Sequence, residues 1–297
     1  MRAHKKVVLM TLGFLIGISV LLYPAISNFW NSKTQSRLIV DYETVLENLD
    51  EKDYTQLFKD AHDYNKALRK TNFPLSDYKK VPGYYEALKV EGTNIIGYVK
   101  IKKIGIELPI YHGTSDSVLN KGVGHLEGSS LPVGGTSTHS VMSAHRALPS
   151  AKLFTDLDRV EVGDTFDITI LDRVLTYQVD QIKVVKPNVI EDLQIVDGKD
   201  YCTLFTCTPY GINTHRLLVR GIRIETITEK PVIYVPNEAF RIEPLLVTPA
   251  VAAPMLLVFL IYLMVKYREP AKPPKKKEGK KEGKKRDIKM QKNKSTN

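Results

Sequence analysis

Cysteine is scarce in this chain: Cys202 and Cys207 are the only two in 297 residues. Two thiols cannot build the framework of a disulfide-stapled mini-protein. Metal-ligand spacing is also missing, because C-x4-C stands without a supporting pair and neither Glu127 nor Asp192 alone makes a site. No cofactor is therefore expected. A basic excess is absent from the body, although the whole chain carries +10. Residues 266–297 hold 14 Lys/Arg and 4 Asp/Glu, and Arg2, Lys5 and Lys6 add three more cations. Residues 7–265 are left with 26 basic and 29 acidic side chains, a net of −3. Nucleic-acid binding by the folded part loses its main argument.

Charge is missing altogether from Val7–Ile26 and Leu245–Val265. Each run is about the ~20 residues a helix needs to cross a hydrocarbon core. Lys and Arg flank both on their outer ends, so the positive-inside rule places both termini in the cytoplasm and residues 28–243 outside. A cleaved secretory signal is the rival for the first run, but Tyr23-Pro24-Ala25-Ile26-Ser27 is a poor small-x-small cleavage site. The expected location is the plasma membrane with the body on the extracellular face. The tail from Lys272 is low-complexity and polybasic, suited to anionic inner-leaflet lipid.

Five regions follow: a cytoplasmic start and anchor (1–27), N-terminal helices with a possible lid (28–94), a catalytic β-domain (95–243), a second span (244–265) and a basic tail (266–297). Leu38, Tyr42, Val45, Leu46 and Leu49 recur at helical spacing, as do Tyr54, Leu57, Phe58, Ala61, Tyr64 and Leu68. Asn72-Phe73-Pro74 and Val81-Pro82-Gly83 break the pattern, and 71–94 reads as irregular. Strands are expected at Ile95–Ile101, Ile106–Tyr111, Ser140–Ala144, Phe166–Leu171, Val174–Val185, Tyr201–Cys207 and Leu217–Ile224. A short helix is expected at Ser150–Leu157, capped by Ser150. The fold class is mainly β, a barrel or sandwich preceded by two helices.

Cys207 ends a strand-like run and opens a turn-rich loop, a rigid yet accessible place for a nucleophile. Arg216 starts the next strand, and a hairpin of that length can return the guanidinium to the sulfur. A thiol nucleophile needs an acid/base partner and a cation for the developing oxyanion. Cys202 and Cys207 sit roughly 16 Å apart along a strand at ~3.3 Å per residue, too far for a disulfide. Cys202 reads as a small core residue. The base must be a histidine. Topology excludes His4, and choosing Arg216 disfavours the adjacent His215. His112, His125, His139 and His145 stay open, with His145 well placed after Ser143-Ala144.

The run from Thr203 to Gly221, TLFTCTPYGINTHRLLVRG, closely resembles the T-L-x-T-C-T-P-Y-G-x-N-T-H-R-L signature of sortases, and in particular the pilin-polymerising class C group of Gram-positive bacteria. Gly124-His125-Leu126-Glu127-Gly128 and the stretch from His145 to Phe154 resemble that group too. The resemblance implies a closed eight-stranded sortase β-barrel with flanking transmembrane helices. It also implies Cys207 as nucleophile, His145 as general acid/base and Arg216 as the oxyanion or substrate-positioning cation. The implied reaction cleaves a Leu-Pro-x-Thr-Gly-like sorting signal between Thr and Gly through a thioester. The acyl group then joins a pilin lysine, with pilin subunits and the membrane as partners. Two alternatives are attachment to a cell-wall precursor amine and a non-catalytic surface binding protein with an inert Cys207.

One departure stands out. The class C lid carries an Asp-Pro-aromatic motif, and this sequence has no Asp-Pro. Asp77 and Tyr78, in Ser76-Asp77-Tyr78, occupy the expected segment and supply an acid and a ring without the proline. A lid more mobile than usual is expected.

Overall fold

The computed structural model describes residues 2–71, 74–226 and 244–266. The described residues up to Gly17, with those from Ala250, form one compact unit; the other runs from Ile18 to Pro249 and carries the barrel. The expected tail beyond Lys266 lies outside the described residues.

Helix α1 spans Arg2–Leu46 without a break and contains Pro24. The first apolar run and the first body helix are thus one element, where the sequence pattern suggested two. A helix can pass through a proline when the freed carbonyl is satisfied locally. Helix α2, Glu51–Arg69, begins at a capping box: Asp50 Oδ1 accepts from Lys52 N and Asp53 N, and Asp53 Oδ2 accepts from Asp50 N. Its buried stripe includes Phe58, Ala61, Tyr64 and Leu68. A short helix, α3 (Pro74–Asp77), and a 3-10 turn, Tyr78–Lys80, follow.

The remaining elements are β1 (Gly97–Ile101), β2 (Ile106–His112), α4 (Asp116–Leu119), β3 (Val123–His125), β4 (Thr138–Ser143), β5 (Thr165–Ile170), β6 (Arg173–Val185), β7 (Asp200–Thr208), β8 (His215–Arg223) and helix α5 (Pro244–Lys266). The eight strands close into a barrel in the order β1-β2-β3-β4-β7-β8-β6-β5. Alternation produces this closure. In β5, Phe166, Ile168 and Ile170 point into the core while Asp167 and Thr169 do not. Strand β4 is buried at every residue, because Val141 on its other side packs with Leu193 and Leu218 under Leu75, Leu126, Val185 and Phe205. Gly221 has to be glycine: a Cβ there would lie 2.8 Å from both Phe166 Cε1 and Tyr177 Cβ, which form a stacked pair inside the barrel.

Strand β3 escapes the sequence pattern, being three residues long and centred on Gly124. The helix expected at Ser150–Leu157 is not formed. Turns occupy that segment, with a 3-10 turn only at Leu157–Arg159. Leu153 takes a left-handed φ of 40°, which a right-handed helix cannot accommodate. The backbone groups are used elsewhere too: Ser150 O accepts from Ser27 Oγ (3.2 Å) and Asn31 Nδ2 (2.7 Å), and Lys152 N donates to Asn28 Oδ1 (2.8 Å).

Among the described residues, one helix is long and apolar enough to cross a membrane, the stretch Thr11–Leu46 of α1. The apolar stretch of α5, Ala252–Tyr262, is shorter.

Candidate active site

Two strand pairings assemble the site. Strands β7 and β8 are antiparallel, with Cys207 directly opposite Arg216 and Thr208 opposite His215. Directly opposed residues on neighbouring strands place their side chains on the same face, about 4.5–5.5 Å apart at Cβ. Strands β4 and β7 are parallel, with Ser143 level with Phe205. The pairing continues past the end of β4: Ala144 N donates to Phe205 O at 3.3 Å, and Thr206 Oγ1 donates to Ala144 O at 2.7 Å. Carrying that register on by two residues sets His145 level with Cys207. His145, distant in sequence, is thus set at the same end of the barrel as Cys207 and Arg216.

Local bonds fix each of them. The carbonyl of His145 accepts from Phe154 N at 3.2 Å, while its ring has no hydrogen-bond partner among the described residues. Arg216 Nη1 donates to Asn213 O (3.2 Å) and His215 O (3.1 Å). Nε and Nη2 have no protein partner among the described residues. The connecting turn is tied by Ile212 N and Asn213 N, both donating to Pro209 O, with Asn213 at φ 62°. Cys207 is half-buried, at the boundary between strand and solvent. A thiol, an imidazole and a guanidinium at one rim are groups that can serve as a nucleophile, a proton carrier and an oxyanion donor.

The histidines left open by the sequence separate once their surroundings are seen. His125 is fully buried, bonded to Tyr84 OH (2.9 Å) and Ser130 O (2.9 Å), and burial drives its pKa down to about 3. His139 bonds Gln194 O (2.8 Å) and Thr203 Oγ1 (2.7 Å), and burial lowers it to about 4. His112 Nε2 donates to Ala87 O at 3.0 Å, and its pKa is also lowered by burial. All three are neutral structural donors and acceptors. Cys202 is likewise buried, and its thiol pKa is pushed well above the ordinary value by burial and then by Asp200.

Among the described residues, the contacts of Asp77 and Tyr78 are with their own neighbours in sequence. Asp77 pairs with Lys80 at 2.9 Å and Tyr78 stacks under Lys79. Leu75 of this segment engages the barrel, packed on the Val141–Leu193–Leu218 cluster next to Phe205. Gly128 makes the close approach possible: at φ 85°, a Cβ there would lie 2.6 Å from Pro74 O and 2.8 Å from Leu75 Cα. A leucine between proline and serine carries no signal of that role. The sequence reading also passed over Arg146. Its side chain is only 9% exposed; it pairs with Asp158, donates to Thr208 Oγ1 at 3.1 Å and lies 6.0 Å from the Tyr210 ring. Arg146 therefore braces the segment directly after Cys207. Its adjacency to His145 in sequence was the one available signal.

Comparison with known proteins agrees with this geometry. A sortase domain model matches residues 99–224. The structure of sortase C1 from Streptococcus agalactiae is 51% identical with a TM-score of 0.58, covering 64% of this chain and 99% of that one. A pilus-related sortase C of Group B Streptococcus is 46% identical with a TM-score of 0.57, covering 62% and 96%. Sortase A of Streptococcus agalactiae serotype III is 29% identical over 136 residues, 45% of this chain and only 54% of that protein's length.

Proposed function

The chain belongs to the sortase family of transpeptidases and resembles class C structures over nearly their whole length, and from that premise we propose that it polymerises pilins through a thioester on Cys207. One observation carries this reading: Cys207 and Arg216 are direct partners across β7 and β8, with His145 level with them past the end of β4.

The Cys207 thiolate attacks the Thr carbonyl carbon of a Leu-Pro-x-Thr-Gly-like signal. Arg216, through its N–H donors, holds the charge that develops on the carbonyl oxygen. The Thr–Gly C–N bond breaks, and His145 gives its proton to the departing glycine amine. A thioester remains. A pilin lysine amine then attacks the same carbon, passes a proton to His145, and the Cys207 thiolate leaves as an isopeptide forms. A cell-wall precursor amine is the alternative acceptor, and it would resolve the same thioester.

The apolar stretch of α1 suits a membrane anchor. Charge on the outer flanks of both apolar runs favours cytoplasmic termini and an extracellular barrel. Enzyme and substrates held on one membrane gain effective concentration. The segment around α3 serves as a lid seated by Leu75.

Intact-mass measurement of the full chain in detergent micelles with a Leu-Pro-x-Thr-Gly peptide tests the reading. The expected result is an acyl adduct on Cys207 with the glycine fragment released, and none on Cys207→Ala. An unmodified, reduced and folded protein, even after removal of residues 72–82, would sink it. Adding a lysine amine, or a cell-wall precursor amine, to the adduct then identifies the acceptor.

A further inference from the structure

Helix α1 lies against the barrel, and its contacts run in order from one end to the other. Ser27, Asn28 and Asn31 bond Ser150 and Lys152, in the loop that leaves His145. Lys152 Nζ in turn reaches Ile104 O, beside the end of β1. Gln35 Nε2 comes next, donating to Lys121 O just before β3 begins. Tyr42 is last: its hydroxyl donates to Ile96 O (3.2 Å) and accepts from Leu171 N (3.0 Å). Ile96 precedes β1 and Leu171 follows β5.

The strand directions identify these ends. His145, Cys207 and Arg216 lie where β4 and β7 finish and β8 starts. Because β1 and β5 pair antiparallel to their neighbours, that end also holds the finish of β1 and the start of β5. The start of β1 and the finish of β5, where Tyr42 is bound, mark the opposite end. Helix α1 therefore descends from the catalytic end to the far end. The apolar run precedes Ser27, so its last turns, Ile18–Ile26, leave the barrel at the catalytic end, within the same compact unit.

Exposed aromatic and aliphatic side chains gather there. Immediately after the run, Phe29 is exposed and Trp30, the chain's sole tryptophan, is 70% exposed. On the turn between β7 and β8, Tyr210 is 61% and Ile212 67% exposed. Aromatic rings at the end of an apolar helix occupy the headgroup level of a bilayer, where an apolar body and a polar edge are both satisfied. In water the same exposure has no compensation.

We propose that the catalytic end of the barrel rests on the lipid headgroup surface, with Phe29 and Trp30 of α1 and Tyr210 and Ile212 of the β7–β8 turn as its interfacial contacts. The proposal rests on the membrane-anchored reading above and adds an orientation to it. A sorting signal held in the same bilayer then meets Cys207 from the membrane side, without having to climb over the barrel. The bonds from Ser27, Asn28 and Asn31 to the loop after His145 keep that rim at a fixed height.

The test uses full-length protein in phosphatidylcholine/phosphatidylglycerol vesicles, with lipids brominated high on the acyl chain as quenchers. In a Trp30→Phe background, Ile212→Trp places the only indole on the turn, and Tyr210→Trp is the milder second variant. Val174→Trp, at the start of β6 and 43% exposed, reports the far end. The expected result is a blue shift and strong quenching at 212 and 210, with little at 174. Quenching at 174 that equals or exceeds the turn variants, or none at the turn, overturns the orientation. Flotation of the vesicles and the peptide adduct on Cys207 are read on the same samples. Flotation and adduct without turn quenching defeat the orientation alone. Absence of the adduct defeats the enzymatic reading, whatever the quenching shows, and absence of flotation defeats both the anchoring and the orientation.

Discussion

A histidine from β4 or the residues just after it meets a cysteine of β7 twice, once inside the barrel wall and once at its rim. Inside, His139 and Cys202 lie in adjacent register, with His139 level with Tyr201 and Ser140 level with Cys202. At the rim, His145 follows the end of β4 and Cys207 lies near the end of β7. Position along the strand decides the chemistry. The inner histidine is bonded at both ring nitrogens and held neutral, with its pKa lowered to about 4. The inner thiol is sealed from water and driven away from ionisation. The rim pair is half-buried, and the ring of His145 is free of hydrogen bonds among the described residues. A nucleophile and its proton carrier need an open approach from solvent, and of the two positions only the rim offers one.

The sharpest way to break this comparison is to remove one sulfur at a time. Cys207→Ala should abolish the acyl adduct in intact-mass measurement, whereas Cys202→Ala should retain it. For the histidines, His145→Ala should lower the acylation rate by about 10²–10⁴-fold. A His139→Ala protein should keep its rate per folded molecule and lose roughly 1–3 kcal/mol of stability in denaturant melts, since Thr203 and the Gln194 carbonyl lose a buried partner. Equal catalytic losses for both histidines would contradict the division.

The lid contact is expected to be smaller in effect. Leu75→Ala removes about 1–2 kcal/mol of apolar burial, enough to shift a closed–open equilibrium by roughly 5- to 30-fold. Peptide acylation should quicken by up to that factor in stopped-time mass assays, and Asp77→Ala, with only its Lys80 pair to lose, should change little. A rate unmoved by Leu75→Ala would remove the gating role.

Acid stability sharpens the same contrast. The inner histidines have folded pKa values of about 3 and 4, below the ordinary 6.5, so between those limits the unfolded chain binds more protons than the folded one. Their contribution is complete above about pH 6.5 and is lost as pH falls toward 4. The slope approaches about 1.4 kcal/mol per pH unit for each histidine. Melting temperature should therefore drop from pH 7 to pH 5, and His139→Gln should flatten the slope by one proton. The smallest effect is the stability cost of Cys202→Ala, about 1 kcal/mol for a small buried side chain.

Much of the barrel was legible because alternating strands such as Phe166-Asp167-Ile168-Thr169-Ile170 write their buried face directly into sequence. Strand β3 was not, since three residues around a glycine give no period to detect. The expected helix at Ser150–Leu157 failed for a different reason: the groups that would have closed its turns are bonded to Ser27, Asn28 and Asn31, more than a hundred residues earlier in the chain. The first apolar run continues into the body helix because nothing between Ile26 and Leu38 forbids helix.

The sequence by itself singled out Cys207 as the candidate nucleophile, Arg216 on the facing strand and the apolar runs, because each is carried by a local signal: a strand end before a turn, a hairpin register, about twenty uncharged residues. It narrowed the base to four histidines without separating them by chemistry. Tertiary structure alone decided that His125 and His139 are buried with both ring nitrogens bonded and His112 half-buried on the Ala87 carbonyl, that Leu75 packs on the barrel, and that α1 descends from the end that holds Cys207. Those outcomes depend on which groups distant in sequence are brought within hydrogen-bonding or van der Waals distance, and closure of the barrel is what brings them there.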